Sequence, residues 1–126
     1  DQRYRLLMDH SAVPAALATP DGRLTLVNQA MATLVGYDID TLLTMTWQDL
    51  TAPETIAEEL QVVADMIAGR RDSYRAVKQY IHAAGHRVWA DLTLSCIRGP
   101  DGELEHFIAQ IIDVTRYLSG PGLDDR

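Results

Sequence analysis

Between Arg87 and Ile97 the side chains alternate without a break. Val88, Ala90, Leu92, Leu94 and Cys96 fall on one side, and Trp89, Asp91, Thr93 and Ser95 on the other. A period of two sustained this long belongs to a β-strand with one face in a core. Glycine turns flank it at Ala84-Gly85 and Gly99-Pro100-Asp101-Gly102, and beyond them lie two more segments of the same kind, Ser73 to His82 and Glu103 to Val114. Three strands joined by two tight turns form an antiparallel meander. A shorter pair opens the chain: Val13 to Thr19 is apolar and strand-like, Asp21-Gly22 turns, and Arg23 to Val27 alternates about Leu24.

Between pair and meander the period is helical. Asn28 reads as an N-cap ahead of Ala30, Met31, Leu34 and Val35, with Gly36 as the stop. Asp38 caps a short turn carrying Ile39, Leu42 and Leu43, while Thr44 to Leu50, with Trp47, reads equally as a helical turn or a loop. Thr51-Ala52-Pro53-Glu54 has the form of a capping box with Pro in the first turn. It predicts a helix with Ile56, Leu60, Val63, Ala64 and Ile67 on one face, Glu58, Glu59 and Asp65 elsewhere, and Gly69 at its end. Residues 1–10 predict a cap helix with Tyr4, Leu7 and Met8 on one side, and residues 119–126 a disordered tail or the start of a linker. The expected fold class is α+β, as one domain over residues 1–118.

Charge and residue usage remove several function classes. The net charge is −7, and the only lysine is Lys78, so no broad basic face exists for nucleic acid. The lone Cys96 excludes an internal disulfide and any multi-cysteine metal site, and its strand position reads as a buried, inert thiol. His10, His82, His86 and His106 are not read as a metal site, so none is expected. Glu58 and Glu59 are helix neighbours that point apart, which reads as a solvated face rather than an acid–base pair. No enzyme is expected. No apolar run approaches the roughly 18–20 residues of a membrane span, and no signal-peptide pattern opens the chain. The chain starts at Asp1 rather than Met, which suggests a piece of something longer, and the expected location is cytoplasmic.

The element order, with Pro20-Asp21-Gly22-Arg23, Val27-Asn28-Gln29-Ala30, Val35-Gly36-Tyr37, Gly85-His86-Arg87-Val88-Trp89, and Arg98-Gly99-Pro100-Asp101-Gly102 running on to Ile112-Asp113-Val114-Thr115, resembles the PAS family of sensory domains. The likeness covers roughly residues 4–116. Two departures are Thr51-Ala52-Pro53-Glu54, where relatives often have His-Pro-x-Asp, and Ala84-Gly85 in place of Asp-Gly. The resemblance implies a five-stranded antiparallel sheet with helices on one face and a pocket between. It also implies an output domain in the same chain: a histidine kinase, a diguanylate cyclase or a transcription regulator.

The expected pocket lining is Leu34, Leu42, Ile56, Leu60, Val63, Tyr80, Ala90, Leu92, Leu94, Phe107, Ala109 and Ile111, an apolar set whose simpler reading is plain core. Haem is disfavoured because relatives hang the iron from a helical His, and none lies between His10 and His82. Photoactive FMN is disfavoured because no Asn-Cys-Arg occurs, and Tyr80, Ala90 and Ile111 stand where relatives carry flavin-holding amides. Trp47 and Tyr74 keep an FAD redox sensor as the least favoured reading. The expected ligand is a small apolar molecule, with Tyr80 or His82 as its polar contact; the alternative is a ligand-free interaction module. The opposite sheet face, with Ile81, Trp89, Ile108 and Ile112, is too apolar to stay bare, and the expected cover is Tyr4, Leu7 and Met8 together with a second subunit in a homodimer. Asp113 and Thr115 resemble the junction through which such domains drive an output helix.

Overall fold

The computed structural model describes residues 12–118, so the expected cap helix with Tyr4, Leu7 and Met8, and the tail 119–126, lie outside the described residues. The strands are β1 (Ala15–Ala18), β2 (Leu24–Val27), β3 (Ser73–Ile81), β4 (Arg87–Arg98) and β5 (Leu104–Asp113). They form one antiparallel sheet in the order β2-β1-β5-β4-β3. The helices lie between β2 and β3: α1 (Gln29–Val35), α2 (Ile39–Leu42), α3 (Trp47–Leu50), a 3-10 turn (Pro53–Thr55) and α4 (Ile56–Ile67). A last turn, α5 (Thr115–Leu118), follows β5.

Local chemistry accounts for the helix ends. The buried Asn28 side chain accepts from Met31 N at 2.9 Å and from Ala15 N at 3.1 Å, and donates to the Val13 carbonyl at 2.8 Å. One amide side chain therefore caps α1 and ties it to the mouth of β1. Asp38 caps α2 through Thr41 N at 2.7 Å. Gly36 ends α1 at φ +80°, and a Cβ there would stand 2.2 Å from the His82 ring, so both backbone and space require glycine.

Two helix expectations are corrected. The capping box sits at Thr46 and Asp49, opening α3 and resolving the ambiguous stretch around Trp47 as helix. Thr51 is not an N-cap but the C-cap of α3: its hydroxyl donates to the Trp47 carbonyl at 2.7 Å and accepts from Lys78 at 2.9 Å, and its backbone bridges to Tyr80. Pro53 then opens the 3-10 turn that leads into α4. The buried face of α4 is Glu59, Val62 and Met66; Leu60 and Ile67 are 45% and 50% exposed. The helix is rotated by about a third of a turn from the expected face, because burying Glu59 satisfies a cation on the sheet.

The core lies between helices and sheet. Val35, Leu42, Leu50, Ala90 and Ile111 are fully enclosed there, with Met31, Tyr80, Val88 and Leu92 around them. A neighbouring cluster joins Val62 and Met66 of α4 to Phe107 of β5.

Candidate functional site

Strand alternation points Tyr74, Ala76, Lys78 and Tyr80 of β3 to the helix side, in register with Leu94, Leu92, Ala90 and Val88 of β4. Lys78 thereby enters the interior and is only 6% exposed. Its ammonium donates to Glu59 Oε1 of α4 at 2.6 Å and to Thr51 Oγ1 at 2.9 Å, and stands over the Tyr80 and Trp47 rings at 4.6 and 5.5 Å. Thr55 donates to the other Glu59 oxygen at 3.1 Å. Burial pushes the Lys78 ammonium below its ordinary range, and the Glu59 carboxylate opposes the shift. Burial likewise pushes the Tyr80 phenol up, with Glu59 adding to it.

This pair borders a cavity of about 50 Å³ between the sheet and α3, α4 and α1. Of the expected lining, Val63, Tyr80, Leu92, Leu94, Phe107 and Ala109 reach it. Leu34, Leu42, Ile56, Leu60, Ala90 and Ile111 do not: Leu42, Ala90 and Ile111 are sealed in the core beside it, and Leu60 faces solvent. Sequence reasoning missed Met31, Trp47, Glu59, Val62 and Lys78 as lining residues. The wall is therefore apolar apart from one buried ion pair and the polar ends of Trp47, Tyr74 and Tyr80. The available signal was Lys78 itself, the only lysine, at an inward position of β3.

His82 is no polar contact for this cavity. It stacks on His86 at 4.2 Å, accepts from Ala84 N at 3.0 Å, and lies against Gly36 beyond the other end of the core. Cys96 is half-buried next to Phe107 and Leu94, and burial pushes its thiol up. Among the described residues no group of His, Cys, Asp and Glu is placed to hold a metal ion.

At the sheet end, Asp113 accepts from Thr115 N at 2.9 Å and so starts α5. The Thr115 hydroxyl accepts from Trp89 N at 2.9 Å, and Val114 N donates to the Trp89 carbonyl at 3.0 Å. The first turn of α5 is thus pinned to the backbone of β4, the strand that supplies Leu92 and Leu94 to the cavity. On the outer face Ile112 is 58% exposed, whereas Ile81, Trp89 and Ile108 are half-buried, Ile108 packing on Ala15 and Leu17. Asp91, paired with Arg75 at 2.7 Å, sits in register between the exposed Val77 and Ile112 and divides that face.

The fold and the ordered caps find their counterpart in known proteins. The PAS fold family model matches residues 8–117. The chain belongs to the PAS fold family. It is a sensory domain of that family, 36% identical over 114 residues to the probable diguanylate cyclase DgcE of Escherichia coli K12, which covers 90% of this chain and 10% of that protein. A blue-light-activated histidine kinase of Rhizobium johnstonii is 31% identical over 98 residues, covering 78% of this chain and 28% of the kinase. The chain thus spans between a tenth and under a third of the length of these curated relatives. In fold it is similar to a PAS domain from Colwellia psychrerythraea (TM-score 0.81, 16% identity, 91% of this chain and 97% of that one). It is similar also to the LOV protein of Rhodobacter sphaeroides (TM-score 0.79, 18% identity, 99% of this chain and 73% of that one). No described helix is long and apolar enough to cross a membrane.

The PAS resemblance raises a flavin as the cofactor to test against these residues. At about 50 Å³ the cavity is well below the roughly 150 Å³ that holds a single benzene ring, so a tricyclic ring would need it to widen. Tyr80, Ala90 and Ile111 carry no amide toward such a ring, and the single cysteine lies on β4 rather than on a helix.

Proposed function

We propose that this PAS domain is a non-catalytic input module that senses a small ligand in the cavity beside Lys78 and Glu59 and relays the change to an output domain of the same protein. A diguanylate cyclase or a histidine kinase is the output suggested by its relatives. The observation that carries the relay is the Thr115–Trp89 joint, because β4 both walls the cavity and holds the first turn of α5. Movement of β4 reaches α5 with no intervening loop. In this reading Asp113 and Thr115 are the relay residues, and Trp89 and Ile112 belong to a homodimer face. In the full-length protein with its natural output domain, Thr115→Val, which keeps the shape and loses the hydroxyl, is expected to alter output or its signal dependence in a folded protein. Normal regulation in that variant would refute the relay.

A second reading, the ligand-free interaction module, is favoured by the small cavity. Mass spectrometry of the denatured protein separates the two: a stoichiometric small molecule supports the sensor, and its absence under saturating extracts supports the interaction module.

A further inference from the structure

The cavity's sheet wall is a continuous ladder of hydrogen-bonded strands, so a ligand larger than water enters by moving the helix wall. That wall is α4. Its ends are pinned: before it, Ala52 N donates to the Gln79 carbonyl at 3.0 Å, and at its last turn Arg98 donates to the Met66 carbonyl at 2.9 Å. Between these pins, the charged tie across the cavity among the described residues is Glu59 to Lys78. The Glu59 side chain keeps 11% of its surface in solvent against 6% for Lys78, and the exposed Glu58 and Leu60 flank it in sequence, so Glu59 is the partner nearer to water. Lys78 is the more enclosed of the two, rising from β3 with its ammonium over the Tyr80 and Trp47 rings.

The two partners therefore differ in what a ligand has to replace. A buried ammonium stripped of its carboxylate is strongly disfavoured, and an incoming cation meets like charge. An incoming carboxylate leaves the ammonium paired while Glu59 goes to solvent. We infer that the cavity takes a small monocarboxylate with an apolar tail, its carboxylate replacing that of Glu59 on Lys78 and letting the middle of α4 bow away from the sheet. The tail lies against Met31, Val62, Leu92 and Phe107. This inference rests on the ligand-sensing reading above and names the ligand's chemistry.

Lys78 is the only lysine, so labelling the 126-residue chain with 13C-lysine gives one lysine side chain to follow by NMR. The probes are hexanoate, hexan-1-ol and hexylamine, with 15N amides of α4 read in parallel. Hexanoate is expected to shift the Lys78 signal and the α4 amides saturably, and to bind at least about tenfold more tightly than the alcohol or the amine. Glu59→Gln is expected to bind hexanoate at least as tightly as the unaltered chain, because the internal competitor has lost its charge. The double variant Lys78→Met/Glu59→Gln, which buries no unpaired charge and is checked for folding by circular dichroism, is expected to lose hexanoate binding. Hexanol binding as tightly as hexanoate, or undiminished hexanoate binding in the folded double variant, would overturn the carboxylate inference while the sensing reading stands. Binding of none of the three would overturn the inference and shift the function itself toward the ligand-free module.

Discussion

Two buried side chains, Asn28 and Lys78, organise much of this molecule, and they do so in different ways. Asn28 is a local device with a long reach: its oxygen caps α1 and also holds Ala15 N of β1. Asn28→Ala removes a cap and orphans a buried amide, so a loss of about 2–3 kcal/mol in urea unfolding is expected. A cost under about 0.5 kcal/mol, the range of ordinary surface substitutions, would show that water replaces the side chain. Lys78 is a long-range device, since its partners Glu59 and Thr51 arrive from elements far along the chain. Lys78→Met alone strands the Glu59 carboxylate and is expected to cost about 3 kcal/mol, whereas Lys78→Met/Glu59→Leu recovers most of it. An additive double-mutant cycle would mean that the two charges are not coupled. Gly36→Ala meets both a positive φ and the His82 ring, and about 1–3 kcal/mol is expected, partly restored by His82→Ala.

At the scale of elements, β3 and β4 are also joined on their outer face by Arg75 and Asp91. The hydrogen bonds from Arg75 hold the Asp91 carboxyl below the usual carboxylate range. A carboxylate depressed in the folded state contributes stability that is complete above its unfolded value, about 3.9, and lost as pH falls through the folded one. The thermal midpoint of the protein is therefore expected to drop more steeply below about pH 4 than that of Asp91→Asn. Parallel curves for the two proteins would remove this pair from the acid response. Most elements were readable in advance because their signals are local: strand alternation in β3 to β5, Asn28 and Asp38 as caps, and glycine at the turns. The phase of α4 was not. Its sequence offers one stripe through Ile56, Leu60, Val63 and Ile67 and a second through Glu59, Val62 and Met66. Hydropathy selects the first. The chain adopts the second because Lys78, nineteen positions beyond Glu59, needs an anion. Ile56 and Leu60 left the expected cavity lining for the same reason. Thr51 was likewise read as an N-cap because its hydroxyl's true partner lies on another element.

Across the whole molecule, the outer sheet face sets the expected assembly. Val77 and Ile112 are more than half exposed, with half-buried Trp89 near them. A two-fold pairing of this face puts the same patch against itself, and light scattering is expected to find a dimer at micromolar concentration that Ile112→Glu weakens. A monomer throughout that range would refute it. The strand order has another effect. Because β1 and β5 are antiparallel neighbours, with Ala15 opposite Gln110 and Pro14 O accepting from Ile111 N at 2.9 Å, the chain enters and leaves the sheet side by side. Tension applied between the flanking segments falls on that outermost rung first and then on each rung in turn, as in a zipper, rather than on all of them in shear. The domain is mechanically soft along its own backbone, and a pull through the flanks parts β1 from β5 before it disturbs the meander that holds Lys78.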